Sequence, residues 1–281
     1  MAIPHDGHVS VKGHNEPGRE AGLVGFLRRI VGSERSDAAD AQLGLTLCFV
    51  AGAVNAGGLL AVGQYTSHMS GIVSALADNL VLGRGSLIVV RLGSVLSFVA
   101  GAACSAFLIN WGRRHQTPNQ YALPLLFEAA LLLGFGLIGH LRVHGPHFGT
   151  VAVPLLCFIM GLQNAIITKI SRARIRTTHV TGMVTDLGIE LGKLFYRNRT
   201  GDEDHSPVIA DRQKLKLLGS LLCSFVIGGV VGTLGFKSVG FLALVPLAVL
   251  LLLLAGLPMA DNLVAGRHGS LQADRHDDAE P

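Results

Sequence analysis

The sequence predicts an all-α integral membrane protein made of two inverted repeats. Together they hold six full transmembrane helices plus two short or half-helices carrying the motif T-[ST]-H-x-[ST]-G. Three observations predict this. Only 15% of the 281 residues are charged against 49% hydrophobic types, and mean hydropathy is +0.48, whereas soluble domains hold about a quarter charged residues. Apolar runs reach the roughly 20 residues needed to cross a hydrocarbon core, as in LGLTLCFVAGAVNAGGLLAV (43–62) and GFLALVPLAVLLLLLAGLP (240–258). Finally, TSHMSGIVSA at 66–75 returns as TTHVTGMVTD at 177–186, with four positions identical and three exchanging only Ser for Thr.

Taken in order, residues 1–40 form a polar tail with loose histidines (His5, His8, His14) and no ligand spacing. Within it LVGFLRRIVG (23–32) has the composition of a short amphipathic surface helix. No basic-then-apolar order of a cleaved signal is present. The membrane domain runs over 41–258, as repeat one (41–142) and repeat two (149–258). CFVAGAVNAG (48–57) matches CFIMGLQNAI (157–166), pairing Cys48 with Cys157, Gly52 with Gly161 and Asn55 with Asn164. LGSVLSFVAGA (92–102) resembles LGSLLCSFVIGG (218–229), and each half closes on an apolar run, 121–139 and 240–256. Each repeat therefore reads as a full span, a short motif segment and two full spans, the internal repetition of transporter folds. The end, 259–281, is polar and reads as disordered. Cys48, Cys104, Cys157 and Cys223 all lie in apolar runs and read as small buried hydrophobes.

The two short segments, MSGIVSALADNLVLG (69–83) and TGMVTDLGIELGKLF (181–195), carry Asp78, Asp186 and Glu190. Acids cost about 2.5–3.5 kcal/mol each at mid-membrane on the insertion scale, so half-helices that dip in and return compete with full crossings. Loop charge separates the two layouts. Of the sixteen Lys and Arg between residues 62 and 240, six crossings with the N-terminus inside leave four outside (Arg84, Arg91, Arg142, Lys237) and twelve inside. Eight crossings divide them nine and seven. The positive-inside rule favours six, and three crossings per repeat make the repeats inverted.

On a helix His179, Gly182, Asp186 and Glu190 share one face, at i, i+3, i+7 and i+11. In the first copy that face carries His68, Gly71, Ala75 and Asn79, flanked by Ser70 and Asp78. Ser and Thr suit helix starts, so Ser70 and Thr181 point to two half-helix starts facing each other at mid-membrane, where transporters bind substrate. Asn55, Gln163 and Asn164, late in the preceding spans, would add side-chain amides to that cavity. These twelve residues (Asn55, His68, Ser70, Gly71, Asp78, Gln163, Asn164, His179, Thr181, Gly182, Asp186 and Glu190) are the substrate-binding or ion-coupling candidates. Two plainer readings stand beside them: small-xxx-small packing with interhelical hydroxyl bonds, and pairing of Glu190 with Lys193 or Arg197. Glu128, in an apolar span, is a further candidate with Arg91 or Arg172 as neutralising partner.

The GxxNA…TSHMSG and GLQNA…TTHVTG pair resembles the YoaK family of multi-pass bacterial membrane proteins, a domain of unknown function. The resemblance covers about residues 41–258. Family members usually carry Asn after the motif Gly, where this chain has Ile72 and Met183. The resemblance implies a six-span protein of the bacterial inner membrane and supplies no substrate.

With no phosphate-binding loop, metalloprotease helix or nucleophile elbow in the sequence, no enzyme activity, cofactor or metal is expected. The first function expected is a secondary transporter or channel for a small polar or anionic solute. The alternative is a non-transporting membrane assembly, sensor or scaffold protein. The partners are then the lipid bilayer and an unknown small solute, without nucleic acid, and a homo-oligomer is left open. Both termini are expected in the cytoplasm.

Overall fold

A computed structural model describes residues 37–115, 120–142, 148–170, 178–196 and 208–256. The readings made above for residues 1–36 and 259–281, for Arg172 and for Arg197 fall outside these residues. Every regular element described is helical: α1 (Asp37–Val62), α2 (Met69–Val81), α3 (Gly85–Arg114), α4 (Ala122–Arg142), α5 (Phe148–Ile170), α6 (Val180–Phe195), α7 (Arg212–Val239), a 3-10 turn (Gly240–Ala243) and α8 (244–256). Helix is what apolar chains of this kind require, because hydrocarbon offers no partner for backbone N–H and C=O groups.

Five segments are long and apolar enough to cross a membrane: Asp40–Val62, Gly85–Arg114, Ala122–Leu141, Phe148–Lys169 and Arg212–Gly256. The last has 45 residues. Straight, it would measure about 68 Å, more than twice a hydrocarbon core of about 30 Å. It is broken at Gly240, whose φ of 62° and ψ of −137° end α7, so α7 and α8 are separate helices. By contrast α2 (13 residues) and α6 (16 residues) reach only about 20 and 24 Å, less than a membrane crossing.

Packing joins the halves crosswise. α1 lies along α7, and α3 along α5; these are the two most extensive helix pairs. A Cβ at Gly52 would sit 2.1 Å from the Phe225 carbonyl oxygen, and one at Gly228 would sit 2.0 Å from that of Phe49. The other pair repeats this: Gly101 against the Phe158 carbonyl and Gly161 against the Phe98 carbonyl, both at 2.0 Å. Only glycine lets the backbones approach this closely, and close backbone approach supplies the van der Waals contact that holds helices together in lipid. Further along, the Ser224 hydroxyl donates to the Leu45 carbonyl at 2.7 Å, Gly232 meets Ala53, and Gly57 meets the Phe236 ring. The contacts 45/224, 53/232 and 57/236 advance together, so α1 and α7 run parallel.

α2 turns back along α3 through Gly83 (φ 65°), and α6 packs along α7. Ile72 of α2 is buried against Val153 and Cys157 of α5, with Val62, Val95 and Phe98 around them. At one end of the bundle Phe241, in the turn between α7 and α8, packs edge-on against Phe148 at the start of α5 (ring centroids 5.4 Å) and Phe135 of α4 (5.5 Å). The α4–α5 and α7–α8 connections therefore share one end.

Two features of the packing go beyond or against the sequence reading. One concerns neighbours of the short helices, which the sequence leaves open: each lies against the long helix that follows it, because the glycine crossings fix α3 and α7 on different partners. The cysteines are also not uniformly buried. Cys48 and Cys157 are, but Cys104 is half-buried and Cys223 lies on the outer surface of the bundle, since the close-packed face of α7 is taken by its glycines.

Candidate functional site

Each motif copy is held by an asparagine of the preceding span. In repeat one the Asn55 side-chain oxygen accepts hydrogen bonds from the Ser67 hydroxyl (2.9 Å) and the Ser67 N–H (3.3 Å). In repeat two the Asn164 side-chain oxygen accepts from the Thr178 N–H (3.4 Å), and its Nδ2 donates to Thr178 Oγ1 (2.6 Å) and to the Met160 carbonyl (2.9 Å). The same clasp thus occurs twice, pinning the residue just before each short helix to the body of a long one. His68 and His179 follow at the N-cap positions, with non-helical backbone (φ/ψ −86°/70° and −83°/54°). Their carbonyls accept the first helical bonds, from the Ile72 and Met183 N–H groups. Their rings lie over the first turn: a Cβ at Gly71 would fall 2.6 Å from His68 Nδ1, and one at Gly182 would fall 2.2 Å from His179 Nδ1. Glycine in the motif therefore makes room for the imidazole. Ile72 and Met183, where the YoaK pattern has Asn, point into the core at 3% and 5% exposure. Ser70, Thr181 and both histidines are on the exposed face.

The later turns of the two short helices differ. In α6, Glu190 is 2% exposed and fully engaged. Its Oε1 pairs with Lys193 (3.0 Å) and lies 3.7 Å from Lys214, while its Oε2 accepts from the Asp211 N–H (3.0 Å). The Asp211 N–H, and then the Lys193 ammonium, hold the carboxyl below the usual carboxylate range. Asp186 lies 3.5 Å from Lys214. Asp211 in turn caps α7, its side chain accepting from the Gln213 and Lys214 N–H groups. This charged latch ties the C-terminal half of α6 to the start of α7. In α2 the corresponding position is Asn79, buried, whose Nδ2 donates to the Ala75 carbonyl at 2.6 Å; Asp78 is exposed.

The remaining candidates lie apart from the motif. Gln163 is fully buried on α5 and donates to the Leu47 carbonyl of α1 at 3.3 Å, leaving its Oε1 without a partner. Glu128 of α4 is fully buried and neither carboxyl oxygen has a hydrogen-bond partner among the described residues. Its expected pairing with Arg91 is not formed, because that guanidinium bonds Gln64 instead. No group of three His, Cys, Asp or Glu among the described residues could hold a metal ion.

Sequence reasoning missed two features. One is the F-x-x-G tetrapeptide at every crossing: FVAG (49–52), FVAG (98–101), FIMG (158–161) and FVIG (225–228). The signal was visible as a fourfold recurrence. The other is the bond of Arg91 to Gln64, two residues before Thr66, which only the fold brings about.

Long apolar helices, glycine crossings and short motif helices of submembrane length define a multi-helix protein of membrane type. Within that class the chain belongs to the family described as "Protein of unknown function (DUF1275)", which matches residues 43–257, in agreement with the YoaK resemblance. No curated protein and no solved structure matches it.

Proposed function

We propose that the chain is a six-span protein of the bacterial inner membrane, built from two inverted repeats with a half-helix in each, and that it moves a small polar or anionic solute across the bilayer. The observation that carries the layout is the packing of Phe148 against Phe241. Eight alternating crossings would put the α4–α5 and α7–α8 turns on opposite sides; six put them on the same side. The parallel course of α1 and α7 fits this count. In the six-span layout α2 and α6 start near mid-membrane, at the Asn55 and Asn164 clasps, and return to opposite faces. Broken helices of this kind are tolerated where they line a cavity or are buried in protein, and transporters bind solute at them. The basic residues at the ends of α3 and α5 and around the α6–α7 latch then lie in the cytoplasm with both termini.

The test is reconstitution in liposomes with a panel of radiolabelled polar and anionic solutes. Saturable uptake by the wild type, lowered at least tenfold in Asn164→Ala or His179→Ala, supports transport. Absence of saturable uptake for every solute turns the reading to a non-transporting assembly, sensor or scaffold protein. One observation favours that second reading: Asn55 and Asn164 each bond the residue just before their own short helix, as a structural clasp would.

A further inference from the structure

The two repeats differ in their charge balance. In the second repeat Asp186 and Glu190 of α6 each have a lysine, whereas beside the start of α2 in the first repeat a cation stands without an acid among the described residues. Arg91, half-buried on the second turn of α3, makes no ion pair among the described residues. Its Nη1 donates to Gln64 Oε1, and its Nε is buried with no acceptor. That bond turns the other end of the Gln64 amide away, and Gln64 Nε2 is also buried with no acceptor. Thr66, 0% exposed, has a hydroxyl without any partner among the described residues and borders the open Cα of Gly58. Three donors of unfilled capacity thus accompany an uncompensated positive charge. Met69, the first residue of α2, packs in one cluster with Val95, one turn beyond Arg91, so the positive end of the α2 dipole adds to the same field. Buried donors and an unpaired guanidinium are costly unless something accepts from them. Repeat two has no counterpart, since Leu217 and Ile175 stand where Arg91 and Gln64 stand in repeat one.

We propose that Arg91, Gln64 and Thr66 form a binding site for a small oxyanion, a carboxylate or an inorganic phosphate or sulfate. The Nε edge of the guanidinium takes two acceptor oxygens in fork geometry, and the Gln64 amide and Thr66 hydroxyl take the remaining lone pairs. This deepens the transport reading by naming the solute class, but binding is measured apart from flux, so either can fail alone.

The experiment is titration calorimetry and thermal unfolding of the full-length protein in lipid nanodiscs. Sodium acetate, phosphate and sulfate are each compared with sodium chloride at matched ionic strength. The wild type should bind at least one oxyanion saturably. Affinity should fall roughly tenfold or more in Arg91→Gln, the scale of a lost charged hydrogen bond, and less in Gln64→Ala and Arg91→Lys. Arg114→Gln, which alters an exposed cation at the far end of α3, should bind as the wild type does. Acetate binding alone would point to a carboxylate ligand, and phosphate or sulfate binding to a tetrahedral one. The proposal is overturned if no oxyanion gives a response beyond chloride, or if Gln64→Ala and Arg91→Lys both bind with wild-type affinity.

Discussion

At the scale of single residues, glycine does two different jobs here. Gly52, Gly101, Gly161 and Gly228 each face a backbone carbonyl at about 2 Å from a would-be Cβ, and a backbone cannot rotate away. Gly71 and Gly182 face an imidazole, which can. Gly228→Ala should therefore destabilise by at least the 1–3 kcal/mol that is about typical of overpacking. Gly71→Ala should displace only the His68 ring and cost about 1 kcal/mol or less. Chemical unfolding in detergent ranks them, and equal costs would contradict the assignment. Glu190 makes the second residue-scale case. Because its carboxyl titrates below its ordinary value, the latch contributes stability at pH values above the ordinary carboxylate range. That contribution disappears as pH falls through the lowered pKa. The thermal midpoint of the wild type should exceed that of Glu190→Gln at pH 7, and the gap should close as pH falls below the ordinary carboxylate range and through the lowered pKa. A gap independent of pH would show that the carboxylate charge plays no part.

The helices were partly legible before the fold was. The apolar runs mark the long ones because hydrocarbon imposes both their length and composition, and the double motif marks the starts of α2 and α6. Asn55 and Asn164 aligned as a pair, yet their hydrogen-bond partners could not be read. That the chain doubles back, bringing Ser67 and Thr178 to them, depends on turns whose geometry leaves a weak sequence signal. Lys193 was within reach of Glu190 on one helix, three residues away, whereas Asp211 and Lys214 reach it only through the packing of α6 on α7. Arg91 was misread as a partner for Glu128 because periodicity gives no distance between elements. The clasp itself is testable at this scale. Asn164→Ala removes two hydrogen bonds to Thr178, each worth about 0.5–1.5 kcal/mol. It should raise hydrogen exchange at the start of α6, leaving α3 and α5 protected. Uniform loss of protection would instead make Asn164 part of the global core.

For the whole molecule, the organising relation is a swap: the first span of each repeat packs on the second full span of the other. Four F-x-x-G tetrapeptides at two crossings implement it, and two clasps and one latch hang from that frame. The swap was hidden in the sequence because a tetrapeptide says where backbones can approach and not which backbone approaches. Asp186 and Glu190 are neutralised by lysines, while the unsatisfied charge belongs to Arg91 in the first repeat. The proposed six-span layout puts the halves in opposite orientations, and it fails outright if the short helices cross the membrane. Single cysteines at Ser86 and Asn119, on a background with the four native cysteines replaced, can be probed in intact cells with an impermeant thiol reagent. The account predicts that the cysteine at 86 is labelled from outside and the one at 119 only after the membrane is opened. The reverse pattern would contradict it.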